Sequence, residues 1–358
     1  MKITLLNAKD IGVWAALASA VLFGAGTPLA KGLLGQISPW LLAGLLYAGS
    51  GLGLLIYRLI KKLPIPRLNR SESVWLLAAV VCGGGVAPVL LMFGLTRMAA
   101  SHASLLLNAE AVLTTLLAWA LFKEHLGSRI VLGMALIVAG ALLLSWPQGG
   151  AGVALQANAL LPALAVLLAC AFWALDNNFT RKVSHADASW IACIKGLAAG
   201  MTNLLLAFLL GATWPSLGGI SAAMAVGFLA YGVSLALFVV ALRHLGAARA
   251  GAYFSTAPFV GAVMSLLIFA EPVTWQLLAA STLMALGVWL HLTEHHAHSH
   301  THSTNTHTHT HRHVHDAHHM HAHALGEDAT QPHDHAHRHE SLTHDHAHYP
   351  DADHRHGH

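Results

Sequence analysis

The sequence has little charge and few cysteines. Only 10% of its 358 residues are charged, whereas 55% are apolar and the mean hydropathy is positive. Soluble globular proteins rarely combine these values, so the composition indicates an integral membrane protein. Cys82, Cys170 and Cys193 lie in apolar runs without a CxxC pair, which excludes a disulfide framework and a cysteine metal site.

Signatures of several other protein classes are missing as well. The net charge is only +3 and the basic residues are scattered between apolar segments, so no nucleic-acid-binding surface is expected. The sequence contains no GxxxxGK(S/T) phosphate loop and no nucleophile and base at catalytic spacing. It therefore predicts neither an ATP-driven pump nor an enzyme, and it requires no cofactor.

Apolar stretches of about 20 residues, the length that spans a lipid bilayer, follow one another with short polar breaks. Their number predicts an all-α integral membrane protein of about ten transmembrane helices. These predicted helices, called segments 1 to 10, lie near residues 12–33, 39–58, 74–96, 101–122, 129–147, 158–180, 188–211, 219–241, 246–269 and 273–292.

Lysine and arginine are distributed unequally between the two sets of loops. If the N-terminus is cytoplasmic, only Lys31 and Arg97 lie on the outer side. Cytoplasmic loops retain positive charge, so both termini are predicted to be cytoplasmic in the cell membrane. The thirteen residues on the cytoplasmic side are Lys2, Lys9, Arg58, Lys61, Lys62, Arg67, Arg70, Lys123, Arg129, Arg181, Lys182, Arg243 and Arg249.

An internal repeat relates segment 4 to segment 9. Residues 108–124 read NAEAVLTTLLAWALFKE and residues 255–271 read STAPFVGAVMSLLIFAE, two stretches of equal length that both close on Phe-x-Glu. Each repeat has five helices, an odd number, so the second repeat must enter the membrane in the opposite orientation. Inverted repeats are common in secondary transporters, whose substrate sites lie near the membrane midplane.

These features resemble the EamA-type domain of the drug/metabolite transporter superfamily, present twice over about residues 12–292. The resemblance rests on FGAGTPLAK, SLLLNAEAVLTTLLAWALFKE, FWALDNNFTRK and AGAYFSTAPFVGAVMSLLIFAEP. It implies two five-helix repeats, at 1–150 and 151–292, and transport of a small-molecule substrate, often outward. The chain departs from the usual pattern at Glu110–Ala111, where the second repeat keeps Ala257–Pro258, and in its C-terminal tail, residues 293–358.

Ionisable side chains inside the hydrocarbon layer usually mark functional positions, because burying a charge is costly. Glu110 lies near the middle of segment 4, close to Asn108 and on the same helix face as Thr114. We expect Glu110 to carry a proton or a cation. The alternative is a carboxyl group permanently hydrogen-bonded to Thr114 or Asn108.

A second group of candidate site residues lies in segments 6 and 7. Asp176 and Lys195 lie at similar depths, so we expect a structural ion pair, with a gate or a substrate contact as the alternative. Asn177 either offers hydrogen bonds to a polar solute or caps a helix end. Trp173, close to Asp176, either lines a cavity or packs in the core.

Three further residues are assigned structural roles. Glu124 and Glu271 end segments 4 and 9 at equivalent positions, so we expect them to anchor loops or cap helices. Pro258 lies inside predicted segment 9, where it would kink the helix or free carbonyl groups toward a cavity.

Histidine is concentrated in the tail, since 25 of the 29 histidines lie at or after His291. The tail has too few apolar residues to fold alone and is predicted to be disordered. Imidazole binds zinc, nickel and cobalt, and the irregular spacing favours a multivalent chelator over one structural zinc site. The candidate metal ligands are His307, His309, His311, His313, His315, His318, His319, His333, His335, His337, His339, His344, His346 and His348.

The leading hypothesis is a secondary transporter that exports a small metabolite or drug by alternating access, with Glu110 as the candidate carrier of a coupling proton. An alternative is a transporter of divalent zinc, nickel or cobalt ions or their chelates, loaded or regulated by the tail. A metal-sensing receptor that does not transport is a third reading, which would leave the inverted repeat without a purpose.

Overall fold

The structure is a computed structural model that describes most of the chain. It covers residues 8–66, 68–122, 127–146, 157–183, 186–245, 247–293, 296–301, 306–311, 333–338 and 343–348. The chain divides into two units, residues 1–294 and residues 295–358.

The described residues of the first unit form ten helical segments, one for each predicted segment. Eight are long and apolar enough to cross a membrane, and segment 9 contains a shorter apolar helix. This unit is therefore an all-α integral membrane domain, as the composition predicts. The helices are α1 (Ala8–Leu33), α2 (Pro39–Lys61), α3 (Arg70–Ala79), α4 (Ala87–Arg97), α5 (Ala100–Leu106), α6 (Ala109–Phe122), α7 (Ser128–Ser145), α8 (Ala157–Arg181), α9 (Ala188–Leu209), α10 (Leu217–Gly227), α11 (Ser234–Leu245), α12 (Ala247–Phe254), α13 (Ala257–Phe269) and α14 (Trp275–Leu292).

Polar side chains in the loops fix the starts of several helices. Asn69 and Glu72 form a capping box at α3, in which each side chain accepts the backbone N–H of the other residue, at 2.9 and 2.8 Å. Asp187 and Thr274 each accept a backbone N–H at the starts of α9 and α14. These contacts satisfy amide groups that the first helical turn leaves without a partner.

Segments 3 and 8 each contain a π-helical turn at their centre. Val80–Val86 joins α3 to α4, and Phe228–Val233 joins α10 to α11. π-Helical turns insert an extra residue into a helix and often occur at functional sites. The two turns begin 148 residues apart, the same separation as the starts of α6 and α13, so they occupy equivalent positions in the two repeats.

Segments 4 and 9 are both interrupted near their centres. Segment 4 consists of α5 and α6, and segment 9 consists of α12 and α13. At each break a side chain donates to a carbonyl three residues earlier: Asn108 Nδ2 to Leu105 O at 2.9 Å, and Thr256 Oγ1 to Tyr253 O at 2.6 Å. The structure therefore differs from the uninterrupted helices predicted for these segments, because the backbone N–H groups of Asn108 and Thr256 bond three residues back at each break instead of four.

Pro258 lies at the start of α13, directly after the break in segment 9. The N–H that proline lacks has no helical partner in the first turn, so proline is tolerated there. Pro258 therefore begins a helix after an interruption, whereas the sequence places it inside a predicted transmembrane segment.

Helix packing follows the twofold relation between the repeats. α1 packs against α11 and α13, and its counterpart α8 packs against α4 and α6. The counterparts α2 and α9 pack together, as do α7 and α14. Glycines bring these last pairs into close contact: a Cβ on Gly51 would lie 2.7 Å from the carbonyl carbon of Gly196, and one on Gly133 would lie 2.7 Å from the oxygen of Gly287.

Two serines join α1 to α11 inside the buried interface. Ser19 Oγ donates to the carbonyl of Ser234 at 2.8 Å, and Ser234 Oγ donates to the carbonyl of Ser19 at 3.0 Å. Both residues are almost fully buried. This reciprocal pair links the first repeat directly to the second.

The second unit contains four short strands in its described residues. β1 (His296–Thr301) pairs antiparallel with β4 (Thr343–His348), and β2 (Thr306–His311) pairs antiparallel with β3 (His333–Arg338). The alternation of histidine with threonine, alanine, serine or aspartate in these residues has the two-residue period of a strand.

Candidate functional site

Glu110 is the second residue of α6 and lies directly after the break in segment 4. Its Oε1 accepts a hydrogen bond of 2.8 Å from Asn177 Nδ2 in α8, and the same nitrogen lies 3.3 Å from Thr114 Oγ1. Among the described residues, no lysine, arginine or histidine nitrogen lies within 4.0 Å of the Glu110 carboxylate. The group is therefore held by neutral partners.

Asp176 and Lys195 form an ion pair between α8 and α9. Lys195 Nζ lies 2.5 and 2.7 Å from the two carboxylate oxygens, and 3.3 Å from Thr180 Oγ1. The side chains are only 7% and 18% exposed. A Cβ on Gly83 would overlap the Asp176 carboxylate, so the ion pair fits against bare backbone in the π-helical turn of segment 3.

The carbonyl oxygen of Gly83 is the meeting point of three segments. Tyr47 Oη in α2 donates to it at 2.9 Å, and Trp173 Nε1 in α8 donates to it at 3.0 Å. The π-helical turn leaves this oxygen without its usual donor, because the N–H of Ala87, four residues on, bonds to the Cys82 carbonyl instead. Trp173 therefore makes a specific polar contact one turn away from Asn177.

Aromatic rings continue from Tyr47 into the second repeat. Tyr231, in the second π-helical turn, stacks on Tyr47 with ring centroids 5.7 Å apart and meets Phe23 edge-to-face at 5.8 Å. Phe23 in turn lies 5.1 Å from Phe254. We call these four rings and Trp173 the aromatic surface. All five residues are half-buried, so each keeps part of its surface accessible.

Of the five members of the aromatic surface, only Trp173 is predicted from the sequence. A signal for two of them is present, because the chain has only five tyrosines and Tyr47 and Tyr231 lie inside apolar segments. A buried phenol usually needs a hydrogen-bond partner, which makes such tyrosines worth testing. Nothing in the sequence marks Phe23 or Phe254 among the eleven phenylalanines.

Asn108 lies apart from this group of residues. It is buried, its Nδ2 bonds to Leu105 O, and the same nitrogen lies 4.0 Å from Met284 Sδ in α14. The site therefore brings together Glu110, Thr114, Asn177, Trp173 and the Asp176–Lys195 pair, whereas Asn108 holds the break in segment 4.

Glu271 lies at one end of the helical unit, away from these residues. Its two carboxylate oxygens accept the backbone N–H groups of Ala100 and Ser101 at 2.8 and 3.1 Å, which caps the start of α5. Lys31 Nζ bonds to the carbonyls of Leu95 and Met98 close to the same helix start. Glu124, the counterpart of Glu271, lies outside the described residues.

The metal-ligand predictions fall only partly within the described chain. His313, His315, His318, His319 and His339 lie outside it. The described residues contain no group of three or more histidine, cysteine, aspartate or glutamate side chains that could hold a metal ion. The candidates within strands are His307, His309 and His311 in β2, His333, His335 and His337 in β3, and His344, His346 and His348 in β4.

Two regions of the chain, residues 10–146 and 160–293, match the EamA-like transporter family. A protein of Methanothermobacter thermautotrophicus named as an uncharacterized transporter is 27% identical over 291 residues, which cover 76% of this chain and 84% of that protein. A second uncharacterized transporter, from Synechocystis sp., is 28% identical over 132 residues, 37% of this chain and 40% of that protein.

The fold is also similar to a solved crystal structure of another protein. The two superpose with a TM-score of 0.59 over 78% of this chain and 95% of that one, at 20% sequence identity. The similarity covers most of the helical unit, so it supports the arrangement of the segments described above.

Proposed function

The chain belongs to the EamA-like transporter family, and from this premise we propose that it is a secondary transporter that exports a small metabolite or drug by alternating access, with Glu110 carrying a coupling proton. The family match and the relatives support membrane transport of small solutes, and the eight long apolar helices found among the described residues make the chain a multi-pass membrane protein. The substrate class, the alternating-access mechanism, the transport direction and the coupling are the parts we propose.

The setting of Glu110 carries the coupling proposal. A carboxyl group within a membrane segment needs a partner or a proton, and the partner that Glu110 has is the neutral amide of Asn177. Asp176, in contrast, is bonded to Lys195 by both oxygens. Because no described cation pairs with Glu110, its carboxyl group is the one best able to take up and release a proton during the cycle.

The helix breaks support alternating access, and the charge distribution supports the predicted orientation in the membrane. Discontinuous helices at equivalent places in two inverted repeats are typical of alternating-access transporters, and both interrupted segments contact the opposite repeat through α1 or α8. The excess of lysine and arginine in one set of loops favours a cytoplasmic position for both termini.

Solute-driven proton movement provides the test. Proteoliposomes containing the full chain and a pH-sensitive dye are exposed to a panel of amino acids, nucleosides and aromatic amines. We expect at least one solute to move protons through the wild-type chain. Glu110→Gln should abolish the proton movement while solute-for-solute exchange continues.

Glu72→Gln is the matched control, because either side chain serves in a capping box and Glu72 lies at the start of α3. It should behave like the wild type. Proton movement of normal size in Glu110→Gln would remove Glu110 from the coupling step.

For the tail, we propose binding of zinc, nickel or cobalt by paired histidines. The register places His307, His309 and His311 of β2 opposite His337, His335 and His333 of β3. Residues directly opposite in an antiparallel pair have Cβ atoms about 4.5–5.5 Å apart, close enough for two imidazoles to share one ion. β1 and β4 pair three further histidines with three histidines in the same way.

Transport of the metal ion itself is the alternative function. The described membrane segments contain no group of three metal-ligating side chains, so the tail is the feature that favours it. Flux of zinc, nickel and cobalt is measured with the full chain and with a chain ending at Thr293. Saturable metal flux in both would favour the alternative, whereas metal binding without flux, lost on truncation, would favour a buffering or sensing tail.

A further inference from the structure

The ionisable groups of the site carry a net negative charge when Glu110 is deprotonated. Asp176 and Lys195 neutralise each other at 2.5 and 2.7 Å. Glu110 has no cationic partner among the described residues. A solute that occupies the site therefore meets one unbalanced carboxylate, and a positive charge on the solute would balance it.

Lys195 has no donor left for an acidic solute. An ammonium group has three N–H bonds, and Lys195 directs them at both oxygens of Asp176 and at Thr180 Oγ1. Recruiting Lys195 to a carboxylate or phosphate on the solute would leave Asp176 buried and unpaired, which is costly. The arrangement of the pair thus disfavours anions.

The aromatic surface lies next to Glu110 through a chain of contacts. Asn177 bonds to Glu110 and lies one helical turn after Trp173, which shares the Gly83 carbonyl with Tyr47. From Tyr47 the rings continue through Tyr231 to Phe23 and Phe254. One carboxylate and five aromatic side chains therefore belong to one connected group.

The polar atoms of two of these rings are already occupied. Tyr47 Oη and Trp173 Nε1 both donate to the Gly83 carbonyl, so these residues offer a solute their ring surfaces. Aromatic ring faces attract cations and apolar groups. A carboxylate together with several ring faces is the usual composition of a site for organic cations.

We propose that the transported solute is an organic cation with an aromatic or other flat apolar part, whose charge pairs with Glu110 while its apolar part packs on the aromatic surface. This inference rests on the proposed transport function and narrows its substrate class. It adds that neither acidic metabolites nor free metal ions are the preferred occupants of the site.

Two ions of the same shape and opposite charge test the substrate class. 1-Methyl-4-phenylpyridinium and biphenyl-4-carboxylate both contain two linked rings. The first ion is positively charged at its pyridinium ring, and the second is negatively charged at its carboxylate group. Binding of each to the purified full chain is measured by isothermal titration calorimetry at pH 8. We expect the cation to bind about tenfold or more tightly than the anion.

Variants at both parts of the site sharpen the test. Glu110→Gln and Tyr231→Ala should each weaken binding of the cation about tenfold, and Glu110→Asp, which keeps the charge, should retain the preference for the cation. Trp214→Leu is the aromatic control, because Trp214 is exposed and contacts Phe208, outside the aromatic surface. It should leave binding unchanged.

Two outcomes would overturn the proposal and leave the transport function standing. One is tighter binding of the anion, lost in Lys195→Met. The other is solute-driven proton movement in proteoliposomes by neutral or acidic solutes, without any binding of the cation at millimolar concentration. An absence of proton movement with every solute, combined with cation binding that depends on Glu110, would contradict the coupling and support the substrate class.

Discussion

Segments 4 and 9 have the same break and different chemistry. In both, a side chain at the break bonds to the carbonyl three residues earlier. A new helix then begins, α6 in the first repeat and α13 in the second, and the two starts are 148 residues apart. The second residue of that helix is Glu110 in the first repeat and Pro258 in the second. Both repeats thus share the break, whereas only the first repeat has an ionisable group next to it.

The largest expected effect is on solute flux, and it compares variants at the second residues of the two helices that follow the breaks. Glu110→Gln should reduce pH-driven solute flux to the level of empty vesicles, because it removes the carboxyl group that we propose exchanges the proton. Pro258→Ala should retain most of the flux, because it leaves the backbone of the first helical turn free to keep its shape. The measurement is radiolabelled solute uptake into proteoliposomes under an imposed pH gradient.

Equal losses of flux in these two variants would contradict the assignment, because they would indicate that both breaks serve the same structural purpose. Exchange without a pH gradient is the internal control: with the solute concentration raised to offset the weaker binding, a folded Glu110→Gln protein should still perform it.

The ion pair provides a second asymmetry between the repeats. Leu46 and Lys195 are the eighth residues of the counterpart helices α2 and α9, and matching Phe23–Gly24 with Trp173–Ala174 places Gly26 opposite Asp176. Lys195→Leu should lower the free energy of unfolding by about 3–5 kcal/mol, because it leaves a buried carboxylate unpaired. The double variant with Asp176→Gly should recover much of that loss.

The check is thermal unfolding in detergent, followed by tryptophan fluorescence. Exchanging the two residues, as Asp176→Lys with Lys195→Asp, should also restore part of the stability lost in the single variants. If neither double variant were more stable than Lys195→Leu alone, the pair would have no structural role.

Replacing a glycine by alanine should destabilise the protein more in the first π-helical turn than in the second, by a smaller amount than loss of the ion pair. A Cβ on Gly84 would overlap the Cβ of Ala199, whereas one on its counterpart Gly232 would lie 3.2 Å from the Phe228 ring, which can rotate. Gly84→Ala should therefore cost about 1–3 kcal/mol. Gly232→Ala should change stability by less than about 1 kcal/mol, partly because alanine favours helices. Thermal unfolding of the two variants side by side would test whether the turns are equally crowded.

The smallest effect concerns the starts of α2 and α9. Asp187 caps α9, but Ser38, at the same position of α2, makes no side-chain cap. Burial opposes the charge, but the hydrogen bonds from Ser189 and the Trp190 N–H and the contact with Arg58 outweigh it and lower the pKa of Asp187 below its ordinary value of 3.8. Asp187→Ala should cost about 1 kcal/mol at neutral pH, whereas Ser38→Ala should be nearly neutral.

The pH dependence of this effect has a defined sign. Because the folded pKa of Asp187 is the lower one, its stabilisation is fully present above about pH 4 and disappears as the pH falls through the folded value. The melting temperatures of the wild type and Asp187→Ala should therefore converge on acidification from pH 7 to pH 3. A difference that grew on acidification would contradict the charge assignment.

The sequence is sufficient to predict the class of fold, and the reason is physical. Bilayer thickness sets the length of each apolar segment, so all ten segments could be located from hydropathy. The Phe-x-Glu repeat and the odd number of helices per repeat then imply the inverted arrangement. The two breaks could not be predicted, since each depends on one short polar side chain, Asn108 or Thr256, which is common in continuous helices.

The candidate site is predictable to a smaller degree. Charged residues in apolar segments are conspicuous, so Glu110, Asp176 and Lys195 can be identified from the sequence, and equal depth is enough to suggest that the last two meet. The aromatic surface is not predictable in this way, because Tyr231 meets Tyr47 across 184 positions of the chain and aromatic residues are ordinary in membrane helices. Such contacts become visible only when the helices are assembled.

Under the proposed alternating access, the reciprocal bonds between Ser19 and Ser234 predict an uneven energy balance between the two access states. In an inverted repeat, alternating access exchanges the contacts of segments 1 and 8 with those of segments 6 and 3. The corresponding residues there are Ala169 and Val86, which have no hydroxyl groups. The opposite state would therefore lack two hydrogen bonds, each worth about 0.6 kcal/mol in a membrane bundle, and the resting population of the transporter would be biased toward the conformation described here.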